Sequence, residues 1–376
     1  MTAKPQSILW LAWKDYTHPQ AGGAEVVLRE FMKRQVADGH RVSLLTAKHP
    51  GAKDREMMDG IDVIRVGTNR YMHSFQALWH YLRKLRDRYD IVIETVNTAP
   101  YLSSLFKTRA KRFALAHQLA REIWYHETKA PLSQLGYYVL EPAALRLLAR
   151  SKVPLITISE STKQDIAHYG WEPTRTHIVS EGIELEPLED LERIQKYRRP
   201  TILSLGAMRG MKRTLDQIEA FELAKVRMPD LQMKIAGDSS GAYGQRVLER
   251  IATSPYQADL EYLGKVSRTE KIALMQHCHA IVVTSVKEGW GLIVTEAASQ
   301  GTPAVVYDVD GLRDSVRDGQ TGIVVNPTPA ALATGIVELL EDEARYRDLC
   351  QRAWQWSQEI TFDTGYKQLT TILETA

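Results

Sequence analysis

The stretch Ser285-Val-Lys-Glu-Gly-Trp-Gly-Leu-Ile-Val-Thr-Glu296 sets two carboxylates, with seven residues between them, around a turn that contains two glycines. The apolar run 280–284 before the turn predicts a buried strand, and Leu292 to Ser299 predicts a helix. The first N–H groups of a helix have no partner within the helix and carry a partial positive charge. We therefore expect an α/β unit that binds an anion, most simply a phosphate, where this strand ends.

The carboxylates of the stretch have predicted roles of their own. Glu288 falls at the carboxyl end of the strand, and Glu296 falls about one turn into the helix, where it can accept two hydrogen bonds from a diol such as the ribose hydroxyls. The alternative is that both are solvated carboxylates at the end of a helix. The other predicted ligand contacts of the stretch are Gly289, Trp290, Gly291, Leu292 and Ile293.

Three further segments follow the stretch: Gly301-Thr-Pro-Ala-Val-Val306, Asp310-Gly311 and Asp318-Gly-Gln-Thr-Gly322. With the Glu-x7-Glu pattern, their order and spacing resemble glycosyltransferase family 4, the retaining GT-B enzymes. The resemblance implies an α/β GT-B fold, in which two Rossmann-like doubly wound domains face each other across an active-site cleft. It also implies a nucleotide-diphosphate sugar as the sugar donor.

Length and composition agree with two globular domains. A chain of 376 residues exceeds one comfortable core, and a formal charge of +2 argues against a nucleic-acid binder. The two cysteines are too few for a disulfide framework and fit a reducing compartment. The apolar run 7–13 reads as a first strand, and no stretch offers the roughly 20 apolar residues that cross a bilayer. We expect a cytoplasmic protein that works at the inner face of the cell membrane.

Short apolar runs alternate with amphipathic stretches twice along the chain, which is the rhythm of βαβ units. The polar segment 186–200 separates the two series. We predict an N-terminal acceptor-binding domain at 1–188 and a C-terminal domain at 200–355 that binds the sugar donor. The helical segment 356–376 either crosses back to the first domain, as the resemblance implies, or caps the second.

Two features of the first domain are candidates for the site. Gly22 and Gly23 join the first strand to the first helix and allow close approach of a ligand; a tight turn without a ligand is the alternative. His117 ends a strand where the family carries a histidine that faces the transferred sugar. The resemblance makes it a catalytic residue with Glu288, whereas by itself such a histidine is more often a satisfied polar group.

The segment 206–213 occupies the position of the family's diphosphate-binding loop but departs from its pattern. Lys212 matches the family lysine, whereas Ala207 stands where an arginine is usual. We predict that Arg209 supplies the missing guanidinium, since two cations balance a diphosphate without metal. A solvated arginine is the alternative.

Other matches carry weaker chemical information. Gly237 and Val266 end strands where the family presents backbone groups to the nucleobase. Backbone contacts leave little trace in the side chains, so the sequence does not decide whether the sugar is linked to UDP or to GDP. Glu181 replaces a more usual asparagine, and we assign it no chemistry. The histidines and acids lack metal-ligand spacing, so we expect neither a metal nor a cofactor.

The predicted reaction builds negative charge on the leaving phosphate and positive charge on the sugar ring. Lys212 and the helix N–H groups would serve the phosphate, and Glu288 would hold the sugar. His117 would bind a sugar hydroxyl, and its carbonyl group would face the positive charge. Family resemblance implies retention of configuration by front-face attack, with a glycan or lipid-linked molecule as acceptor in cell-surface polysaccharide or glycolipid synthesis.

The span His73 to Arg88 combines aromatic, leucine and basic residues, and 107–112 adds a second basic patch. Together they predict contact with an anionic membrane surface. The alternative is an ordinary helix whose core-facing stripe is Phe75, Leu78, Leu82 and Leu85. The aromatic segment 119–139 is a candidate for receiving a lipid-linked acceptor.

Two other functions remain open from the residues. One is a catalytically silent partner subunit that binds nucleotide-sugar, which Ala207 favours. The other is a nicotinamide-dependent oxidoreductase, but the chain lacks the G-x-G-x-x-G fingerprint of dinucleotide binding.

Overall fold

The computed structural model describes residues 4–67, 72–96 and 100–375. The chain divides into two compact units. Unit 1 comprises Met1–Arg121, Gln134–Gly182 and Phe362–Ala376, and unit 2 comprises Glu122–Ser133 and Ile183–Thr361. The α-helices of the described residues are α1 (Gly23–Ala37), α2 (His73–His80), α3 (Ile123–Glu127), α4 (Leu132–Leu135), α5 (Glu141–Ala149), α6 (Glu160–Ala167), α7 (Thr214–Lys225), α8 (Ala242–Ala252), α9 (Arg268–His277), α10 (Leu292–Ser299), α11 (Pro329–Glu341), α12 (Glu343–Ser357) and α13 (Phe362–Thr375).

Unit 1 is built on an eight-stranded sheet with the order β3-β4-β2-β1-β5-β6-β7-β8. Its strands are β1 (Ser7–Leu11), β2 (Arg41–Thr46), β3 (Arg55–Met58), β4 (Ile61–Arg65), β5 (Ile91–Thr95), β6 (Lys111–Ala116), β7 (Leu155–Thr157) and β8 (Thr176–Ile178). All neighbours pair in parallel except β3 and β4. The central strand β1 is apolar from Ile8 to Leu11 because both faces of the sheet are covered there. Trp10 lies fully buried there and donates to Gln35 Oε1 at 2.9 Å.

Unit 2 has a fully parallel six-stranded sheet with the order β11-β10-β9-β12-β13-β14. Its strands are β9 (Thr201–Leu205), β10 (Gln232–Ala236), β11 (Leu260–Gly264), β12 (Ala280–Val283), β13 (Ala304–Tyr307) and β14 (Gly322–Val325). The order reverses between β9 and β12, and ligands bind at such a switch point in open α/β sheets. The prediction of two doubly wound α/β sheets is confirmed, while a cleft between the domains stays a prediction.

The C-terminal segment forms two helices rather than one. After α12 the chain turns at 358–361 and continues as α13, which belongs to unit 1 and packs on α1. Arg34 Nε contacts Asp363 Oδ1 at 2.8 Å, and Tyr366 donates to Asp38 Oδ2 at 2.6 Å. The last helix is therefore part of the fold of unit 1.

The helix α2 confirms the expected core-facing stripe except at Phe75. Phe75 is 62% exposed, whereas Leu85 is buried and Leu78 and Leu82 pack against the same core. His73, Ala77 and Tyr81 complete the buried face. His73 fits the core because both ring nitrogens are paired, with Val66 O and the Tyr101 hydroxyl, each at 3.0 Å. The helix then widens into a π-helical turn at Tyr81–Leu85. No helix in the described ranges is long and apolar enough to cross a membrane.

We predict that Gly365→Ala destabilises unit 1. A Cβ at Gly365 would lie 2.0 Å from Ser180 O, and relieving such a clash costs about 1–3 kcal/mol. That cost exceeds the ~1 kcal/mol that alanine gains over glycine in a helix. The measurement is the midpoint of thermal unfolding. Gly241→Ala is the control, because nothing lies within 4 Å of a Cβ there; a midpoint for Gly365→Ala equal to that control would contradict the packing of α13.

Candidate active site

Lys212 and Glu288 meet at the edge of the unit 2 sheet where the parallel strands end. Lys212 belongs to the 3₁₀ turn Gly210–Lys212 after β9, and Glu288 lies in the loop after β12. The ammonium group of Lys212 pairs with Glu288 Oε1, which also accepts a hydrogen bond from Ser285 Oγ at 2.6 Å. Backbone contacts hold the two loops together, since Val286 N donates to Met211 O at 2.8 Å.

The turn Asp310-Gly311 lies directly against Glu288. Glu288 N donates to Asp310 O at 3.0 Å, and a Cβ at Gly311 would lie 2.3 Å from Glu288 O. Gly311 also has φ +80°, which favours glycine. Its place in the sequence pattern is thus explained by close approach of the backbone to Glu288.

The start of α10 has the geometry that the sequence predicts. Gly291 is the N-cap residue with φ +86°, and the helix begins at Leu292. The N–H groups of Leu292 and Ile293 have no acceptor within the helix, whereas Val294 N donates to Gly291 O at 2.8 Å. Trp290 Nε1 is buried without a hydrogen-bond partner among the described residues. Gly289 precedes it in the same loop, which therefore joins Glu288 to the start of α10.

Glu296 is paired with a residue that the sequence analysis missed. It is 8% exposed on α10, and its Oε2 lies 2.6 Å from Lys271 Nζ on α9. Burial raises the pKa of the Glu296 carboxyl, and the ammonium group of Lys271 opposes that shift. A ribose diol at Glu296 would therefore share the carboxylate with Lys271, and this role stays a proposal.

Arg209 lies on the same turn as Lys212, whose N–H donates to Arg209 O at 2.9 Å. Its Nε is 3.7 Å from Glu127 Oε1, and the two side chains are 52% and 30% exposed. Such an exposed pair is worth less than about 1 kcal/mol, so a diphosphate could displace Glu127. Glu127 belongs to α3, which packs on the Gly210–Lys212 turn within unit 2.

The residues predicted to contact the nucleobase, Gly237 and Val266, are held by contacts between the ends of neighbouring strands. Gly237 has φ +155°, and a Cβ there would lie 1.8 Å from Gly206 O. The Tyr262 hydroxyl donates to Gly237 O at 3.0 Å, and Val266 packs against the core. Packing alone thus requires glycine at 237, and a role in binding a base stays a proposal.

The glycine-rich loop lies in unit 1. Gly22 is the N-cap residue of α1 with extended backbone, and Gly23 begins the helix. Gly22 N donates to Glu25 Oε2 at 2.6 Å, and a Cβ at Gly22 would meet no other atom than this oxygen, at 3.8 Å. Packing within unit 1 does not require glycine here, and contact with a ligand stays a proposal.

His117 follows β6 in unit 1 and is 8% exposed. Its Nδ1 lies 2.8 Å from Glu181 Oε1, while its Nε2 is buried without a partner in the described part of the chain. Its carbonyl oxygen accepts from Thr162 Oγ1 at 3.3 Å. The sequence analysis assigned Glu181 no chemistry, although its departure from the family's asparagine was the available signal.

The structure thus brings together Lys212, Glu288 and the start of α10, with Arg209 on the adjoining residues of the Lys212 turn. Gly22, Gly23 and His117 belong to unit 1. Within the ranges that the structure describes, no group of three or more His, Cys, Asp or Glu side chains is arranged to hold a metal ion.

Two family models match consecutive parts of the chain. "Glycosyltransferase Family 4" matches residues 21–187, and "Glycosyl transferases group 1" matches residues 189–356. Together they span both units and the site described above. The chain belongs to glycosyltransferase family 4.

Curated relatives of known activity match part of the chain. Glycogen synthase of Mycobacterium tuberculosis is 27% identical over 226 residues, which cover 60% of this chain and 53% of that protein. D-inositol 3-phosphate glycosyltransferase of Geodermatophilus obscurus is 31% identical over 231 residues, which cover 55% and 49%. The chain spans about half the length of the curated relatives it matches.

Solved structures establish the fold over the whole chain. Sucrose-phosphate synthase from Thermosynechococcus elongatus gives a TM-score of 0.75 at 18% identity and covers 98% of both chains. HepE of Anabaena, solved with UDP-glucose, gives 0.75 at 16% identity and covers 99% of this chain and 100% of its own. The fold is therefore GT-B, as the resemblance implied.

We predict that Lys212→Ala and Arg209→Glu each weaken binding of UDP or GDP about tenfold to hundredfold, because each removes a charge-assisted hydrogen bond to the diphosphate. Isothermal titration calorimetry measures the dissociation constants. Arg227→Glu is the control, since Arg227 is paired with Glu341 on the surface of unit 2.

The two variants test separate points. Unchanged affinity in Arg209→Glu would remove Arg209 from the site and leave Lys212 as the cation. Unchanged affinity in Lys212→Ala would show that the diphosphate does not bind at this turn.

Proposed function

We propose that this chain is a retaining, metal-independent transferase that moves a sugar from a nucleotide-diphosphate sugar to a glycan or lipid-linked acceptor. The observation that carries the proposal is the pair of Lys212 and Glu288 beside the start of α10, at the ends of β9 and β12. These adjoining loops supply a cation, helix N–H groups and a carboxylate. These groups match the charges of a sugar bound through a diphosphate.

The charges of the transfer step assign a role to each group. The bond between the anomeric carbon and the phosphate oxygen breaks, an acceptor hydroxyl attacks the same face, and its proton passes to the leaving phosphate. Lys212, Arg209 and the N–H groups of α10 stabilise the charge on that phosphate. Glu288 accepts hydrogen bonds from the sugar hydroxyls and orients the ring. This arrangement supplies the positive charge that other transferases take from a metal ion.

The base of the sugar donor is uracil or guanine in this proposal. Contacts to it come from backbone groups near Gly237 and Val266. HepE of Anabaena has been solved with UDP-glucose, which makes UDP the first nucleotide to test.

The acceptor belongs, in this proposal, to cell-surface polysaccharide or glycolipid synthesis at the inner face of the cell membrane. The supporting feature is an aromatic–basic patch on unit 1, formed by exposed side chains of α2, its π-helical turn and the loop after Tyr101. Its members are Phe75, Trp79, Arg83, Lys84, Leu105, Phe106, Lys107 and Arg109.

Hydrogen bonds make this patch continuous. Arg86 Nε donates to Lys107 O, and Thr108 Oγ1 donates to Arg86 O at 2.7 Å, so the loop is fixed beside the helix. The Arg83 guanidinium lies 3.9 Å over the Trp79 ring. Aromatic rings flanked by cations suit the headgroup region of an anionic bilayer.

A catalytically silent partner subunit is the second candidate, and Ala207 is the observation that favours it. Ala207 is exposed at the position where the family usually has an arginine. Binding of UDP-sugar without hydrolysis or transfer, across a panel of acceptors, would support this candidate and overturn the first.

We predict that Glu288→Gln lowers transfer at least about 100-fold, because the variant loses the charged acceptor for the sugar hydroxyls and changes little in size. Radiolabelled UDP-sugars and GDP-sugars, incubated with acceptor lipids, give the rate of transfer and of slow hydrolysis. Glu261→Gln is the control, since Glu261 is an exposed partner of Lys234. Transfer by Glu288→Gln at the rate of this control would contradict the assigned role.

We predict that the protein binds vesicles containing phosphatidylglycerol and that Arg83→Glu, Lys84→Glu and Lys107→Glu together abolish the binding. Each cation near an anionic surface contributes about 1 kcal/mol. Vesicle sedimentation measures the bound fraction. The control carries Arg345→Glu, Arg347→Glu and Arg352→Glu on α12 and has the same net charge. Equal binding by the two triple variants would remove the patch as the membrane contact.

A further inference from the structure

The turn Ser180–Gly182 in unit 1 is fixed by the C-terminal helix α13. Ser180 N donates to Gln368 Oε1 at 2.8 Å. A Cβ at Gly182 would lie 2.4 Å from Phe362 N, so the turn and the start of α13 touch through backbone. The position of Glu181, in the middle of this turn, therefore follows from the packing of α13.

Glu181 in turn holds the imidazole of His117. The two side chains are buried, with Glu181 4% and His117 8% exposed. Oε1 of Glu181 lies 2.8 Å from Nδ1 of His117. A carboxylate accepts hydrogen bonds and does not donate them, so it pairs with a His117 that carries a proton on Nδ1 and not with a lone pair there. In the neutral imidazole the lone pair is then on Nε2.

Nε2 of His117 is the ring atom left for a ligand. It is buried and has no hydrogen-bond partner among the described residues. The backbone of His117 is held as well, since its carbonyl accepts from Thr162 Oγ1, which itself accepts from Ser159 Oγ at 2.9 Å. A buried polar atom without a partner costs about 1–3 kcal/mol, which a bound hydroxyl would offset.

We propose that Glu181 is a positioning residue that selects the Nδ1–H tautomer of His117, so that Nε2 accepts a hydrogen bond from a sugar hydroxyl. This inference rests on the proposed function and adds the chemistry of one substrate contact, a hydroxyl that donates. The asparagine usual at position 181 carries both a donor and an acceptor and would not select one tautomer.

Nitrogen-15 NMR of the imidazoles tests the tautomer without any turnover. The signals of His117 are identified by their loss in His117→Asn. We expect protonated Nδ1 and unprotonated Nε2 in the protein at neutral pH, and a mixture of tautomers in Glu181→Gln, whose amide can accept or donate. A protonated Nε2 in the unaltered protein, or an unchanged tautomer in Glu181→Gln, would overturn the inference.

Kinetics test whether the tautomer matters for transfer. We expect Glu181→Gln to lower kcat about tenfold to hundredfold, the effect of one misdirected hydrogen bond, with the affinity for UDP unchanged. Glu172→Gln on the surface of unit 1 is the control. A shifted tautomer with an unchanged kcat would refute the positioning role.

Two further measurements keep the inference testable. If Glu181→Gln does not fold, Gln368→Ala replaces it, because this variant removes only the bond to Ser180. We expect a smaller loss of kcat and a partial mixture of His117 tautomers in Gln368→Ala. A single fixed tautomer in Gln368→Ala would refute the role of α13. Failure of the proposed function is seen separately, as absence of transfer by the unaltered protein with its tautomer as predicted.

Discussion

The ion pair between Lys212 and Glu288 is the contact on which the rest of the unit 2 site depends. The strands β9 and β12, which precede the two residues, are neighbours in a parallel sheet, so their following loops leave the same edge. Hydrogen bonds to the backbone also hold the loops that carry the pair. Thr284 Oγ1 donates to Lys212 O at 2.9 Å, and Val286 N donates to Met211 O at 2.8 Å. These bonds hold the two loops together apart from the ion pair, and in our proposal the diphosphate takes Lys212 while the sugar hydroxyls take Glu288.

Glycines determine how closely the surrounding backbone approaches this pair. Gly311 brings the loop after β13 against Glu288, and Gly291 turns the chain into α10 with a left-handed conformation. In unit 1, Gly182 and Gly365 allow α13 to touch the turn that carries Glu181. Side chains at these positions would move a charged or hydrogen-bonding group by more than the site tolerates. The same backbone constraint therefore connects the C-terminal helix to His117 and the Asp-Gly turn to Glu288.

The sequence predicts the elements whose pattern is local. Strand β12 and helix α10 lie where the apolar run and the glycine signals place them. The hairpin of β3 and β4 was missed, although Asp59-Gly60 between them, both with positive φ, is a strong turn signal. Only Phe75 in the expected stripe of α2 was wrong, since Leu78, Leu82 and Leu85 face the core, and a histidine paired at both ring nitrogens, His73, is buried as well.

The site was predictable only as far as the family pattern reaches. Lys271 and Glu127, the partners of Glu296 and Arg209, lie on helices that are far from them in the sequence. No local sequence signal therefore marks them. Glu181 differs from them, because its departure from the family's asparagine is visible in the sequence, but its partner His117 appears only when the fold brings the two 2.8 Å apart.

The most direct test of the account is a crystal structure of the protein with an intact nucleotide-sugar bound. The account predicts that the ammonium group of Lys212 leaves Glu288 and lies within hydrogen-bond distance of the diphosphate oxygens, while Glu288 accepts from the hydroxyls of the sugar ring. A structure in which the Lys212–Glu288 pair stays intact and the diphosphate binds elsewhere would contradict it.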